Sequence, residues 1–121
     1  MTRCLLVDED SMECRTLQQL LGSLGLDTAQ RSKSDDALRY CNDNGPDVVM
    51  VSAGSARRPR DFVSRLRRTV NGKEPVVFLF AETPDTDIIG QSILQGAADV
   101  FMQPFDRDII SFKLKQAGII A

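Results

Sequence analysis

The sequence predicts an α/β fold, a doubly wound sheet of five parallel strands with helices on both faces. Three observations predict it. Short apolar runs of strand length alternate with segments whose apolar residues recur at helical spacing. The run Val48–Val51 has no polar alternation, as expected of a parallel strand covered on both sides. The connections are short, so each strand must return through a right-handed helical crossover.

Taken in order, Cys4–Val7 is a strand, followed by Leu17, Leu20, Leu21 and Leu24 at helical spacing. Asp10 with Glu13 three residues on suits an N-cap and its reciprocal acid, and Gly22 and Gly25 lie near the stop. This predicts a first helix over Ser11–Leu24. A weak strand at Leu26–Arg31 precedes a helix capped by Ser34, carrying Ala37, Leu38 and Cys41 and ending in the turn-rich Asn42–Pro46. Asp47–Ser52 is the central strand. A third helix presents Phe62, Val63, Leu66 and Val70 on one face and closes at Asn71 and Gly72. Val76–Ala81, Asp85–Gln95, Asp99–Met102 and Asp106–Ala117 complete the alternation as strand, helix, strand, helix.

A chain of 121 residues with 42% hydrophobic and 26% charged content fits one globular domain over 1–121. No linker to an output domain and no internal repeat is visible, so any output is expected from this domain's own surface. The apolar runs are far too short to span a bilayer and residues 1–20 lack a secretory pattern, which gives a cytosolic expectation. A net charge of −2 predicts no bulk attraction to DNA or to a membrane. The three cysteines, Cys4, Cys14 and Cys41, make an odd count without CxxC spacing and are expected to be reduced, buried thiols. The chain has no histidine. That excludes any histidine-containing hydrolase triad and any zinc set that needs one, and the expectation is a protein that is not an enzyme.

Ligands of such sheets bind outside the carboxyl ends of the strands, where strand order reverses. The strand ends carry Asp8 and Glu9, Ser52, Phe80 and Ala81, and Gln103-Pro104. The segments Leu5–Asp10, Pro46–Ser52 and Gln95–Phe105 together resemble the three signature stretches of response-regulator receiver domains, and the likeness covers the whole chain. The stretch Pro104–Ile119 is most similar to stand-alone, CheY-like members found in alphaproteobacteria. The resemblance implies the five-stranded flavodoxin/CheY-like (βα)5 fold and a role in two-component phosphorelay, chemotaxis or motility signalling.

It also implies five site roles, of which this sequence keeps one. Asp8 and Glu9 match the acidic pair that holds Mg²⁺ in the family. Ser52 stands at the phosphate-accepting aspartate, Phe80 at the Ser/Thr that senses the acyl phosphate, Val100 at an aromatic toggle and Gln103 at a lysine. The family's Lys-Pro bond is often cis, an expectation that passes to Gln103-Pro104. Phosphoryl transfer to an aspartate needs an ionised carboxylate in line with the donor and a hard cation on the oxygens. Ser52 is neutral, and the only neighbouring bases, Asp8 and Glu9, would themselves be the metal ligands. Loss of the aspartate together with the lysine leaves the cleft's charge count unchanged. The expectation is a pseudo-receiver that signals by protein–protein interaction with a kinase, phosphotransferase, motor or other regulator. Asp8 and Glu9 then serve as a local loop and cap pair or as a weak Mg²⁺ site. A further reading keeps phosphorylation at a non-standard acid such as Asp8 or Glu9.

Six of the chain's eleven arginines, Arg57, Arg58, Arg60, Arg65, Arg67 and Arg68, lie within twelve residues. Guanidinium groups favour bidentate contacts with phosphate or carboxylate. Arg57, Arg58 and Arg60 are therefore candidates for a cyclic dinucleotide or an acidic partner, against the plain alternative of a solvated basic face. Arg65 and Arg68 share one side of the helix while Arg67 points elsewhere, so the six are not expected to converge.

Overall fold

A computed structural model describes residues 2–9, 11–53, 59–69, 74–83 and 85–121. The order of elements is β1 (Arg3–Val7), α1 (Met12–Ser23), β2 (Asp27–Arg31), α2 (Ser34–Asn44), β3 (Val48–Ser52), α3 (Pro59–Thr69), β4 (Val76–Ala81), α4 (Thr86–Leu94), β5 (Asp99–Met102) and α5 (Arg107–Gln116). The strands form one sheet in the order β2-β1-β3-β4-β5, and every neighbouring pair is parallel. The chain moves outward from β1 to β2, then crosses back to β3 and proceeds the other way. Strand order therefore reverses between β1 and β3, and the crevice at their carboxyl ends is where such a sheet opens to a ligand.

Alternation along the strands sorts the core into two layers. Leu5, Val7, Val49, Val51, Val77, Leu79 and Ala81 face α2 and α3, meeting Ala37, Leu38, Phe62, Val63 and Leu66. Cys4, Leu6, Val48, Met50, Phe78, Phe80 and Phe101 face α1 and α5, meeting Cys14, Leu17, Leu21, Ile110 and Leu114. All five residues of β3 are buried, which accounts for its unbroken hydrophobicity.

The helix starts differ from expectation in two places. Ser11, not Asp10, is the N-cap of α1: its Oγ accepts from the Cys14 N–H at 3.1 Å. Asp10 itself lies outside the described residues. Ser34 does not cap α2 but is its first helical residue, with Lys33 in the cap position and making no side-chain cap bond. The other caps follow the pattern. Asp85 and Asp106 each accept two backbone N–H bonds at the starts of α4 and α5, and Gly45 ends α2 with φ of +55°, a conformation open to glycine. Val70, Asn71 and Gly72, expected to close the third helix, lie outside the described residues. No helix among the described residues is long and apolar enough to cross a membrane.

Candidate functional site at the strand ends

β1 and β3 are last paired at Val7 and Val51, so Asp8 and Ser52 stand one step further on at the ends of adjacent strands. Both point to the α1/α5 layer by alternation and both are nearly buried, with 8% and 6% of their surfaces exposed. Asp8 is held from three sides. Its N–H donates to the Arg31 carbonyl at 3.1 Å, its own carbonyl accepts from the Gln30 side-chain amide, and its Oδ2 accepts from Ser11 Oγ at 2.8 Å. Because Ser11 Oγ also accepts the Cys14 N–H, its single proton is committed to Asp8. Glu9 is exposed.

Glu13, expected to serve the cap reciprocally, instead has its carboxyl close to that of Glu82 just after β4, near enough for a hydrogen bond when one of them is protonated. Burial holds its carboxyl above the ordinary value of 4.5, aided by that bond and by the charges of Glu82 and Asp8. Glu82 was not singled out in the sequence, where the only signal is an acid directly following a strand end. Among the described residues no group of three or more His, Cys, Asp or Glu is placed to hold a metal ion. A buried acid bonded to a serine, an exposed acid and a neutral Ser52 do not fit the three-anion set implied for Mg²⁺.

Phe80 pairs with Ser52 across β3 and β4 and is fully buried, its ring edge-on to Phe105 with centroids 6.4 Å apart. Phe78 and Phe101 stack beneath at 4.8 Å. Four aromatic rings thus fill the α1/α5 layer under the cleft. Val100 lies on the opposite face, with Leu79 and Ala81. The two positions assigned to the hydroxyl and the toggle therefore do not share a side of the sheet. The residue that ends β4 on Val100's side is Ala81, whose carbonyl accepts the Gln103 N–H at 3.0 Å. With Phe80 or with Ala81 there, the position carries no hydroxyl. The Gln103-Pro104 bond is cis, as expected. Lys113 of α5 is committed elsewhere, 3.0 Å from Asp99 and donating to the Val100 carbonyl at 3.2 Å.

The arginine cluster does not form one pocket among the described residues. Arg57 and Arg58 lie outside them. Arg60 meets Asp61 at 3.3 Å and donates to Gln91 of α4 at 3.3 Å, Arg65 pairs with Asp35 of α2 at 2.7 Å, and Arg67 donates to the Gln95 carbonyl at 3.0 Å. The three cysteines are buried thiols, as expected, and burial pushes the Cys41 thiol up to about 11.

Comparison with solved structures settles the fold. A response regulator from Thermotoga maritima superposes with a TM-score of 0.83 over 99% of this chain and 98% of its own, at 21% identity. The chain has the fold of response-regulator receiver domains. A receiver domain of the sensor histidine kinase PA1611 from Pseudomonas aeruginosa, which has a magnesium ion coordinated in its active site cleft, superposes with a TM-score of 0.79 at 16% identity, covering 97% of this chain and 98% of its own. By sequence, the chain is 31% identical over 103 residues to the DNA-binding response regulator MtrA of Mycobacterium tuberculosis, covering 85% of this chain and 44% of that protein. It thus spans less than half the length of the MtrA it matches. No protein-family model matches the chain.

Proposed function

We propose that this receiver domain is a pseudo-receiver of two-component signalling that acts through protein–protein interaction without being phosphorylated and without enzymatic turnover of its own. The observation that carries the reading is Ser52. It is a neutral, nearly buried hydroxyl at the end of the central strand, beside an aspartate already bonded to Ser11. A serine there needs a base to become a nucleophile, and the acid one strand away is engaged as an acceptor. Gln103 brings no charge to stabilise a transferring phosphoryl group. The arrangement of Asp8 also weighs against phosphorylation at that acid, since one carboxylate oxygen and the backbone on both sides are fixed.

The partner is a signalling protein, met through apolar contact. Ile93 and Leu94 of α4 and Ile109 and Phe112 of α5 are exposed, and Ile109 also lines a cavity of about 300 Å³ with Met102, Phe105 and Lys113 among others. A net charge of −2 favours such a partner over nucleic acid. Arg60, a candidate for a cyclic dinucleotide, is occupied by Asp61 and Gln91, and nothing in its geometry favours that ligand.

Incubation with acetyl phosphate and Mg²⁺, followed by intact mass measurement, is expected to return the unmodified mass. Beryllofluoride with Mg²⁺ is expected to leave the amide resonances of residues 8, 9, 52 and 53 in place. A stable phosphoryl adduct at any carboxylate overturns the proposal.

A further inference from the structure

α4 has little apolar anchorage. Of its nine residues only Ser92 is buried, and Ser92 spends its hydroxyl on the Ile88 carbonyl of its own helix at 2.9 Å. Ile88 and Ile89 are half-buried against the α2/α3 layer. By contrast, α1 buries Cys14, Leu17 and Leu21, and α5 buries Ile110 and Leu114. Something other than core packing has to fix α4 on the sheet.

We propose that α3 supplies it, through a two-arginine clamp formed by Arg60 and Arg67. The two are seven residues apart, two helical turns, so they project from the same side of α3. Arg60 donates to the Gln91 side-chain oxygen in the middle of α4, and Arg67 donates to the carbonyl of Gln95, the residue that ends it. The second contact does two things. It satisfies a carbonyl at a helix end, where no intrahelical donor remains, and it places a cation at the negative end of the α4 dipole.

The next residue is shaped to receive it. Gly96 has φ of +118°, and a Cβ built there would collide with the Arg67 guanidinium. The glycine thus permits both the backbone turn after α4 and the seat of the arginine side chain. Among the described residues Arg67 meets no carboxylate, its bond ending on a peptide oxygen, while Arg60 reaches the Gln91 amide oxygen through one guanidinium nitrogen and Asp61 of its own helix through another. On the α4 side both acceptors are neutral oxygens, unlike Asp35 in the neighbouring Arg65–Asp35 ion pair, which ties α3 to α2 and which acid would weaken by protonating Asp35. The clamp holds α4, and with it the exposed Ile93 and Leu94, independently of the state of the strand-end cleft. This inference does not rest on whether Ser52 is modified.

Hydrogen exchange by mass spectrometry on the full chain tests it. In Arg60→Ala/Arg67→Ala, peptides covering residues 86–96 are expected to exchange roughly tenfold faster than wild type, as the loss of two hydrogen bonds predicts for a locally opening element. Peptides from β3 and α5 should be unchanged. Arg67→Ala alone should give part of the effect, and Arg67→Lys should restore some protection. Arg65→Ala, which breaks only the α2 tie, should leave α4 as it was. Protection of α4 within about twofold of wild type in the double variant, or a gain in exchange spread equally over α1 and α5, overturns the clamp.

Discussion

Ser11 shows how a single side chain ties the helix start to the cleft. Its hydroxyl accepts from the Cys14 N–H and gives its proton to Asp8, so the cap of α1 and the orientation of the buried acid are one arrangement. That leaves Glu13 without a capping partner, and it turns to Glu82. A carboxyl held above its ordinary range favours the protonated form, so its contribution to stability is complete below its ordinary value of 4.5 and is lost as pH rises through the raised value. Glu13→Gln, which mimics the protonated form permanently, should therefore be more stable than wild type near pH ~7, and the gap should close toward pH ~4. Urea midpoints measured across that range check this; a gap independent of pH would show that Glu13 does not titrate against Glu82 and Asp8. None of this geometry was legible in the sequence. Asp10, Ser11 and Glu13 are all chemically able to take part in a cap, and only the buried Asp8 carboxylate decides which hydroxyl is drawn inward.

Among the elements, the strands and the helix faces were legible because their signals are local. Val76–Ala81 and Asp99–Met102 are strands over the expected residues, and the apolar faces of α1, α2 and α3 point into the core as their spacing requires. Sidedness within the sheet was not legible to the same depth. Alternation puts Phe80 in the α1/α5 layer, paired with Ser52, and sets Val100 with Ala81 on the opposite side of the sheet. The partners of the α3 arginines were hidden for a related reason: nothing local to α3 reveals that Gln91, Gln95 and Asp35 will accept from it. Phe80 is in consequence a packing residue, fully buried and edge-on to Phe105. Its replacement by alanine removes a ring from a buried apolar layer, and should cost about 3–5 kcal/mol in chemical denaturation. A loss below ~1 kcal/mol would mean that the ring is not an integral part of that layer.

At the scale of the whole molecule, the cleft's neutral residues and the domain's stability are coupled through charge. Ser52→Asp would set a second nearly buried carboxylate beside Asp8, on strands about 5 Å apart, with Gln103 supplying no cation. Like charges so placed disfavour one another's ionised forms, and at neutral pH the variant should be less stable than wild type by on the order of 1–3 kcal/mol in the presence of a chelator. The same substitution completes a three-carboxylate set with Asp8 and Glu9, the kind of oxygen donor set a hard divalent cation takes. A ligand that binds only the native state raises its stability by mass action, so millimolar Mg²⁺ should raise the unfolding midpoint of Ser52→Asp while leaving wild type nearly unmoved. Adding Gln103→Lys to that variant should recover stability without the metal, because a cation then lies near the restored acid. If wild type gains as much from Mg²⁺ as the variant does, two carboxylates and a serine suffice to hold the ion, and the cleft has kept the chemistry that its neutral residues were taken to have lost.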